Sequence, residues 1–277
     1  MLDQMTRLFT SAFNFPGLDW TLILVAIALG LVFGAVWLTP YWPPKKRGLW
    51  VIGIISAFLT WTAIAFIQVP LQNWAGQAEL HFWNAKTLSQ WLLLAGIPQI
   101  LLSGLVQEGA KLVPVVFYWW RSHFHLTPRI GLLAGAVSGA GFGVFEAVWV
   151  HNTILASGWT WSTVETGGYL ALLGFIERFF SVGFHIAVAA LAGYGLAKGL
   201  GWQFYLITSF LHGATNYSIV LLQTDRLTSI QMEIYVAFLA VMITGVVLWL
   251  RWRKSALTVN LDEKIEGTST SNEAKNK

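Results

Sequence analysis

Seven long apolar segments limit this chain to one class of fold. A helix that crosses a bilayer needs about 20 predominantly apolar residues. Only 11% of the residues are charged, whereas a soluble protein carries about 25%. The sequence therefore predicts an all-α polytopic membrane bundle of about seven transmembrane helices and excludes soluble and disordered classes. The seven segments are 20–38, 49–69, 88–120, 130–156, 169–197, 202–222 and 234–250.

Basic residues collect in the loops that follow the first, third, fifth and seventh segments. Nine Lys and Arg residues lie on that side before the C-terminal tail, and three lie on the other side. Because loops rich in Lys and Arg stay in the cytosol, we expect the N-terminus outside and the C-terminus in the cytosol. We expect a single transmembrane domain at 1–254, with its motifs at 88–222, and a disordered cytosolic tail at 255–277.

The overall charge and the missing cysteines exclude several kinds of function. The net charge of +4 comes with cationic loops that flank the membrane, so we expect a lipid bilayer around the chain and no nucleic-acid partner. The chain has no cysteine, which excludes disulfides, thiolate metal sites and cysteine nucleophiles. A short polytopic chain of this kind fits the inner membrane of a bacterium, as a multi-pass protein.

A few ionisable residues lie inside the predicted spans. Burying one ionised group at mid-membrane costs at least about 2.5–3.5 kcal/mol, so these groups must face one another or a water-filled cavity. A helix rises about 1.5 Å per residue, which places four of these side chains roughly 15–25 Å from the predicted cytosolic boundary. These four can form one layer: Glu108, Glu146, His185 and His212. The full set consists of Glu108, Lys111, Glu146, Glu177 and Arg178, with the histidines His185 and His212.

Helical spacing predicts which of these side chains can meet. Lys111 lies three residues after Glu108 and can pair with it. Lys111 and Arg178 can equally serve only to neutralise the adjacent carboxylates, and Glu177 can be purely structural. A glycine-rich run at 131–143 lets a neighbouring helix pack closely and would bring Glu146 near its partners. Three further pairs share a helix face: Phe142 with Glu146, Arg178 with His185, and His212 with Asn216.

Four short motifs follow one another along the central spans. Together they resemble the PrsW-type intramembrane proteases, which carry E-E-x-x-K, F-x-x-x-E, H and H-x-x-x-N on successive helices. That family is part of the wider CPBP group, which includes CAAX prenyl endopeptidases. A related YhfC-type branch is an open alternative, because Glu177 and Arg178 precede His185 in this sequence. The motifs here are Gln107-Glu108-Gly109-Ala110-Lys111, Phe142 to Glu146, Phe184-His185 and His212 to Asn216.

The resemblance implies an intramembrane peptidase that acts on a membrane-embedded protein or peptide. Two positions depart from the pattern: Gln107 replaces the first Glu, and Ala147 replaces an Asn that often follows the second-motif Glu. Either Glu108 and Glu146 share the work of the paired acids, or the chain is an inactive homologue. The implied catalytic residues are Glu108, Glu146, His185, His212 and Asn216, supported by Gln107, Lys111, Phe142, Arg178 and Glu177.

The chemistry that these residues allow is peptide-bond hydrolysis by a carboxylate-activated water. We expect Glu108 as the base and Lys111 as its orienting partner, with the water held also by Glu146 or His185. His212 and Asn216 would donate hydrogen bonds to the tetrahedral oxyanion. A zinc ion is an open alternative, because two His and two Glu (Glu108, Glu146, His185, His212) are reasonable ligands. No H-E-x-x-H motif supports it.

Two other classes of function remain open from the sequence. Intramembrane Glu and His residues also build proton relays, so a proton-coupled transporter is one alternative, although no inverted repeat is visible. The other alternative is an inactive protease homologue that acts as a binding or immunity protein in the membrane.

Overall fold

The computed structural model describes residues 2–41 and 47–275, with side chains described up to Arg253 and Arg47 described by its backbone alone. This part of the chain contains helices and no strand, which confirms the predicted all-α fold. Its helices are α1 Leu2–Ser11, α2 Trp20–Leu38, α3 Arg47–Ala63, α4 Val69–Phe82, α5 Ala85–Gln90, α6 Leu92–Arg121, α7 Pro128–Ala156, α8 Trp161–Gly167, α9 Leu173–Ala197, α10 Gly201–Gln223 and α11 Ser229–Lys275. The predicted disordered tail lies beyond the described side chains and stays a prediction, as does the domain division.

Six helical segments of the described chain are long and apolar enough to cross a membrane. By these criteria the count is one fewer than the predicted seven. The segment at 202–222 forms α10, but its Thr, Ser, His, Asn and Gln residues make it less apolar than the others. The six are Trp20–Tyr41, Gly48–Phe82, Leu92–Arg121, Pro128–Ala156, Trp161–Ala197 and Ser229–Arg253.

Helix α10 nevertheless lies antiparallel to α6. Near one end of the pair, the Tyr217 hydroxyl donates to the carbonyl of Leu93 at 2.5 Å. Further along, the Tyr205 hydroxyl donates to the carbonyl of Leu105 at 3.0 Å. The predicted orientation, with the N-terminus outside and the C-terminus inside, needs an odd number of crossings and stays a prediction.

The second spanning segment is longer than the sequence predicted. The expected helix at 49–69 belongs to a 35-residue segment, Gly48–Phe82. One π-helical turn, Ile64–Gln68, joins α3 to α4, and Pro70 follows in the first turn of α4. Proline lacks an N–H and disturbs regular helical hydrogen bonding, which accounts for the irregular turn at this point.

Close packing of α7 against α9 forms the centre of the bundle. A Cβ added at Gly131, Gly135 or Gly139 would collide with backbone carbonyl oxygens of α9, the last of them belonging to His185. The glycine-rich run therefore lets two backbones approach closely, as its spacing predicted. This contact aligns the face of α7 that carries Phe142 and Glu146 with the face of α9 that carries His185.

Candidate active site

A buried ion pair on α6 is the innermost part of the candidate site. The Lys111 Nζ lies 2.5 Å from Glu108 Oε1 and 3.0 Å from His185 Nδ1. The same Glu108 oxygen lies 2.6 Å from His212 Nδ1. Both Glu108 and Lys111 are only 1% exposed. Helices α6, α9 and α10 therefore bring together four of the side chains that the sequence singled out.

The chemistry of these partners fixes the ring protons of the two histidines. An ionised carboxylate only accepts hydrogen bonds, so His212 Nδ1 donates to Glu108 and leaves Nε2 with a free lone pair. An ammonium group only donates, so His185 Nδ1 accepts from Lys111 and the proton is on Nε2. These tautomers are assigned from the hydrogen-bond network. In this arrangement Glu108 orients His212, and Lys111 orients His185.

Glu146 of α7 lies on the far side of His185 from Lys111. His185 Nε2 donates to Glu146 Oε2 at 3.0 Å, and Arg178 Nη1 donates to the same oxygen at 2.9 Å. Arg178 also donates from Nε and Nη2 to the two oxygens of Glu177. Ser181 Oγ donates to Glu177 at 2.6 Å. A continuous polar chain thus runs from Glu108 through Lys111, His185, Glu146 and Arg178 to Glu177.

A cavity of about 290 Å³ opens beside this chain. Glu146, with a fifth of its side chain exposed, lies on the cavity wall. Glu108 and Lys111 are not among the wall residues, because His185 and His212 lie between them and the cavity. The predicted site residues on the wall are Gln107, Glu146, Glu177, Arg178, His185, His212 and Asn216.

Three of the predicted site residues lie around this centre without joining the ion pairs. The Phe142 ring meets the His185 ring edge to face, with centroids 5.0 Å apart, and the Lys111 Nζ lies 5.3 Å from the Phe142 centroid. The Asn216 amide donates to Ser103 Oγ at 2.9 Å. The Gln107 amide donates to Gln68 Oε1 at 3.1 Å. Asn216 therefore shares the wall with His212 but binds a different partner.

Sequence reasoning missed one charged residue of the cavity wall, Glu233. The last apolar segment was predicted to begin at residue 234, which placed this carboxylate at the edge of a span. In the structure α11 begins at Ser229, and Glu233 is 8% exposed on the cavity wall. The sequence feature that could have identified Glu233 is a carboxylate immediately before an apolar segment. Because the same pattern is common in loops, it does not indicate a buried residue.

Three donors in this centre form a set that suits a metal ion. Three ligand atoms, one from each of Glu108, His185 and His212, lie within 4.8 Å of one another. Glu108 Oε2 is buried and has no hydrogen-bond partner among the described residues. Two imidazoles and one carboxylate are a ligand set of catalytic zinc sites. Glu146, which the sequence analysis also counted as a ligand, lies outside this set.

Comparison with known proteins identifies the family of the chain. The profile of the PrsW family intramembrane metalloproteases matches residues 44–248, a range that contains every residue of the site described above. No curated protein and no solved structure gives a match. The apolar helices and this match describe a multi-pass membrane protein in a lipid environment, a protease with membrane-embedded substrates. The chain belongs to the PrsW family of intramembrane metalloproteases.

Proposed function

We propose that this protein hydrolyses a peptide bond of a membrane-embedded protein with a water held in the cavity between α7, α9, α10 and α11. The observation that carries the proposal is that Glu146, His185 and His212 line one cavity inside a membrane bundle. Arg178 compensates the charge of Glu146, and Lys111 compensates the charge of Glu108, which contacts His212. A polar cavity at this depth has a high cost in a membrane protein and marks a functional site.

Glu146 is the carboxylate best placed to act as the general base. Its Oε2 accepts from Arg178 and His185, which fixes the side chain while its exposed part faces the cavity. Glu108, the base expected from the sequence, lies behind these rings and orients His212 instead. The proton of the water passes to Glu146, the water oxygen attacks the carbonyl carbon, and the proton then passes to the leaving nitrogen as the C–N bond breaks.

Two amide groups on the cavity wall can stabilise the oxyanion. Each of Asn216 and Gln107 uses one N–H on a protein partner, and an amide group has two. The second N–H of each remains for a substrate oxygen. His212 cannot donate from Nε2 while Nδ1 carries its proton, so the donor role expected for it passes to Gln107. The residue that departs from the family motif thereby has a function of its own.

The donor set fits the metal that the family name implies. Glu108, His185 and His212 would hold a zinc ion, which would polarise a carbonyl oxygen or lower the pKa of bound water. Lys111 contacts two of these three side chains, so its ammonium group and the ion compete for the same donors. The role of Glu146 on the cavity wall is the same in both forms of the site.

The proposal includes a substrate segment that enters the cavity from the membrane and a location in the inner membrane of a bacterium. The cavity wall includes apolar residues of α10 and α11, among them Ile219, Met232 and Val236, which suits a substrate segment that enters from the membrane. The basic loops favour the inner membrane of a bacterium, with the C-terminus in the cytosol.

The test compares membranes from cells that express the wild-type protein, the His212→Ala variant or neither. Chemical labelling of new N-termini, followed by mass spectrometry, should find cleavage sites inside or next to transmembrane segments only with the wild type. Identical sets of N-termini in all three membranes would contradict the proposal. A pH gradient that collapses in proteoliposomes without any cleavage would instead favour a transporter.

A further inference from the structure

The cavity wall contains a carboxylate that the hydrolytic site does not use. Glu233 belongs to α11, outside the helices that carry the four motifs. Its side chain is more than nine-tenths buried, yet it lines the cavity. Its Oε2 is buried and receives no hydrogen bond from any described residue. Burying a carboxylate oxygen without a hydrogen-bond donor costs free energy of folding. We therefore ask which ligand group could bind this carboxylate.

Arg178, the one guanidinium group among the described wall residues, is already engaged by other partners. Arg178 donates to Glu146 through Nη1 and to Glu177 through Nε and Nη2. Ser181 supplies a further donor to Glu177. Among the described wall residues, three carboxylates therefore face one guanidinium group. Negative charge therefore exceeds positive charge on this wall, and Glu233 is the carboxylate that has neither an ion pair nor a hydrogen bond among the described residues.

The surroundings of Glu233 suit a long side chain with a charged end. Glu233 lies about one turn from the start of α11, and Glu177 about one turn from the start of α9. Both are at the end of the cavity where these two helices begin. Met232, Val236 and Ile219 line the same cavity. Apolar neighbours of this kind pack against the methylene groups of Lys or Arg while the charged end reaches a carboxylate.

We propose that Glu233 is a specificity subsite that binds a Lys or Arg side chain of the substrate, next to the segment that is cleaved. This inference rests on the proposed peptidase function and names its substrate class. An ammonium or guanidinium group in the cavity supplies this carboxylate with a charged donor and with the missing positive charge. Neutral side chains do not supply the positive charge. Ionised acidic side chains supply neither the positive charge nor a hydrogen-bond donor.

The experiment measures binding separately from cleavage. The full-length protein is placed in nanodiscs and titrated with fluorescent, N-acetylated single-span peptides. Each peptide carries one Lys at one of several successive positions near a membrane end, and each has a counterpart with Gln at that position. We expect at least one Lys peptide to bind about tenfold more tightly than its Gln counterpart, as a charge-assisted hydrogen bond would give.

Two variants test whether the preference comes from Glu233. The Glu233→Gln variant keeps the shape of the side chain and should bind Lys and Gln peptides alike. The Glu165→Gln variant, which removes an exposed carboxylate on α8, should keep the wild-type preference. Size-exclusion chromatography checks that both variants are folded. The comparison of Lys and Gln peptides on the wild-type protein tests the subsite even if a variant does not fold.

Each outcome either supports or overturns the subsite. If no Lys peptide binds the wild type more tightly than its Gln counterpart, including the case where neither binds, the subsite is overturned. A preference that survives Glu233→Gln also overturns it. Mass spectrometry of the recovered peptides reports cleavage in the same samples. A Lys preference without cleavage would keep the subsite and count against the peptidase, so the two failures are distinguishable.

Discussion

Lys111 shows how single residues hold the site together. Its ammonium group contacts both Glu108 and His185 and is almost fully buried. Removing one member of a buried ion pair leaves an uncompensated charge, which costs about 3–5 kcal/mol. We expect Lys111→Met to lower the free energy of unfolding by about that amount. Unfolding followed by circular dichroism in detergent measures it.

The double variant Lys111→Met/Glu108→Gln is the control for this prediction. Together with Glu108→Gln alone it completes a double-mutant cycle, and the loss of stability in the double variant should be smaller than the sum of the two single losses by a coupling energy of about 0.5–3 kcal/mol. Additive losses in the two single variants would show that the pair is not energetically connected.

The proposed metal site makes a second prediction at the scale of residues. Zinc bound per chain, measured by elemental analysis after dialysis, should fall strongly in His212→Ala, because this variant removes one of three ligands. The matched control is His81→Ala, since His81 is exposed and far from the set along the chain. Equal zinc content in His212→Ala and His81→Ala would remove the metal from the account.

The residues of the site were largely predictable, and their connections were not. Membrane depth and helix spacing identified Glu108, Glu146, His185 and His212, because a charge inside a span has few structural reasons to be there. Spacing along one helix says nothing about partners on other helices. It therefore could not show that His212 shields Glu108 from the cavity.

At the scale of elements, the contact between α7 and α9 decides whether the site can form. A Cβ at Gly139 would overlap the carbonyl oxygen of His185, so the two helices would have to separate at the site itself. We expect Gly139→Ala to abolish cleavage and to cost about 1–3 kcal/mol of stability. Cleavage assays and thermal unfolding of the purified variant measure both effects.

Gly245 on α11 gives the matched control for this substitution. A Cβ there meets no atom within 4 Å, and alanine is a better helix former than glycine. Gly245→Ala should keep full activity and equal or slightly higher stability. Loss of activity in both variants would mean that helix composition, rather than the α7–α9 contact, explains the effect.

Helix α10 is the element for which sequence criteria and packing differ. It falls below the apolarity of the other spans, yet it lies antiparallel to α6 and contributes His212 and Asn216. Side chains that face a polar cavity do not need to be apolar, so hydropathy understates such a helix. The glycine face of α7 was predicted correctly because small residues at a helical spacing have one main use in a membrane.

Cysteine labelling tests whether α10 crosses the membrane. The chain has no cysteine of its own, so Lys198→Cys and Arg226→Cys each introduce a single exposed thiol on either side of α10. An impermeant maleimide should label the two positions from opposite sides of sealed vesicles, with position 198 on the cytosolic side. Labelling of both from the same side would contradict the crossing and the predicted orientation.

At the scale of the whole molecule, the few charges of the chain have two distinct roles. Most lie in loops and orient the bundle, while a small group lies inside the bundle in one connected chain from Glu108 to Glu177. The sequence predicted this division because burial has a large electrostatic cost. It did not predict Glu233, since the start of α11 could not be located to within one turn from hydropathy alone.

The most direct test of the account is hydrolysis by the purified, reconstituted protein in water enriched in ¹⁸O. A membrane-anchored substrate identified from the labelled N-termini is incubated with wild type, Glu146→Gln and Glu165→Gln, and the new C-terminus is weighed. We predict one ¹⁸O atom in the new carboxylate with wild type and Glu165→Gln, and a rate lower by about 10²–10⁴ with Glu146→Gln. Cleavage by Glu146→Gln at the wild-type rate would contradict the claim that Glu146 activates the water.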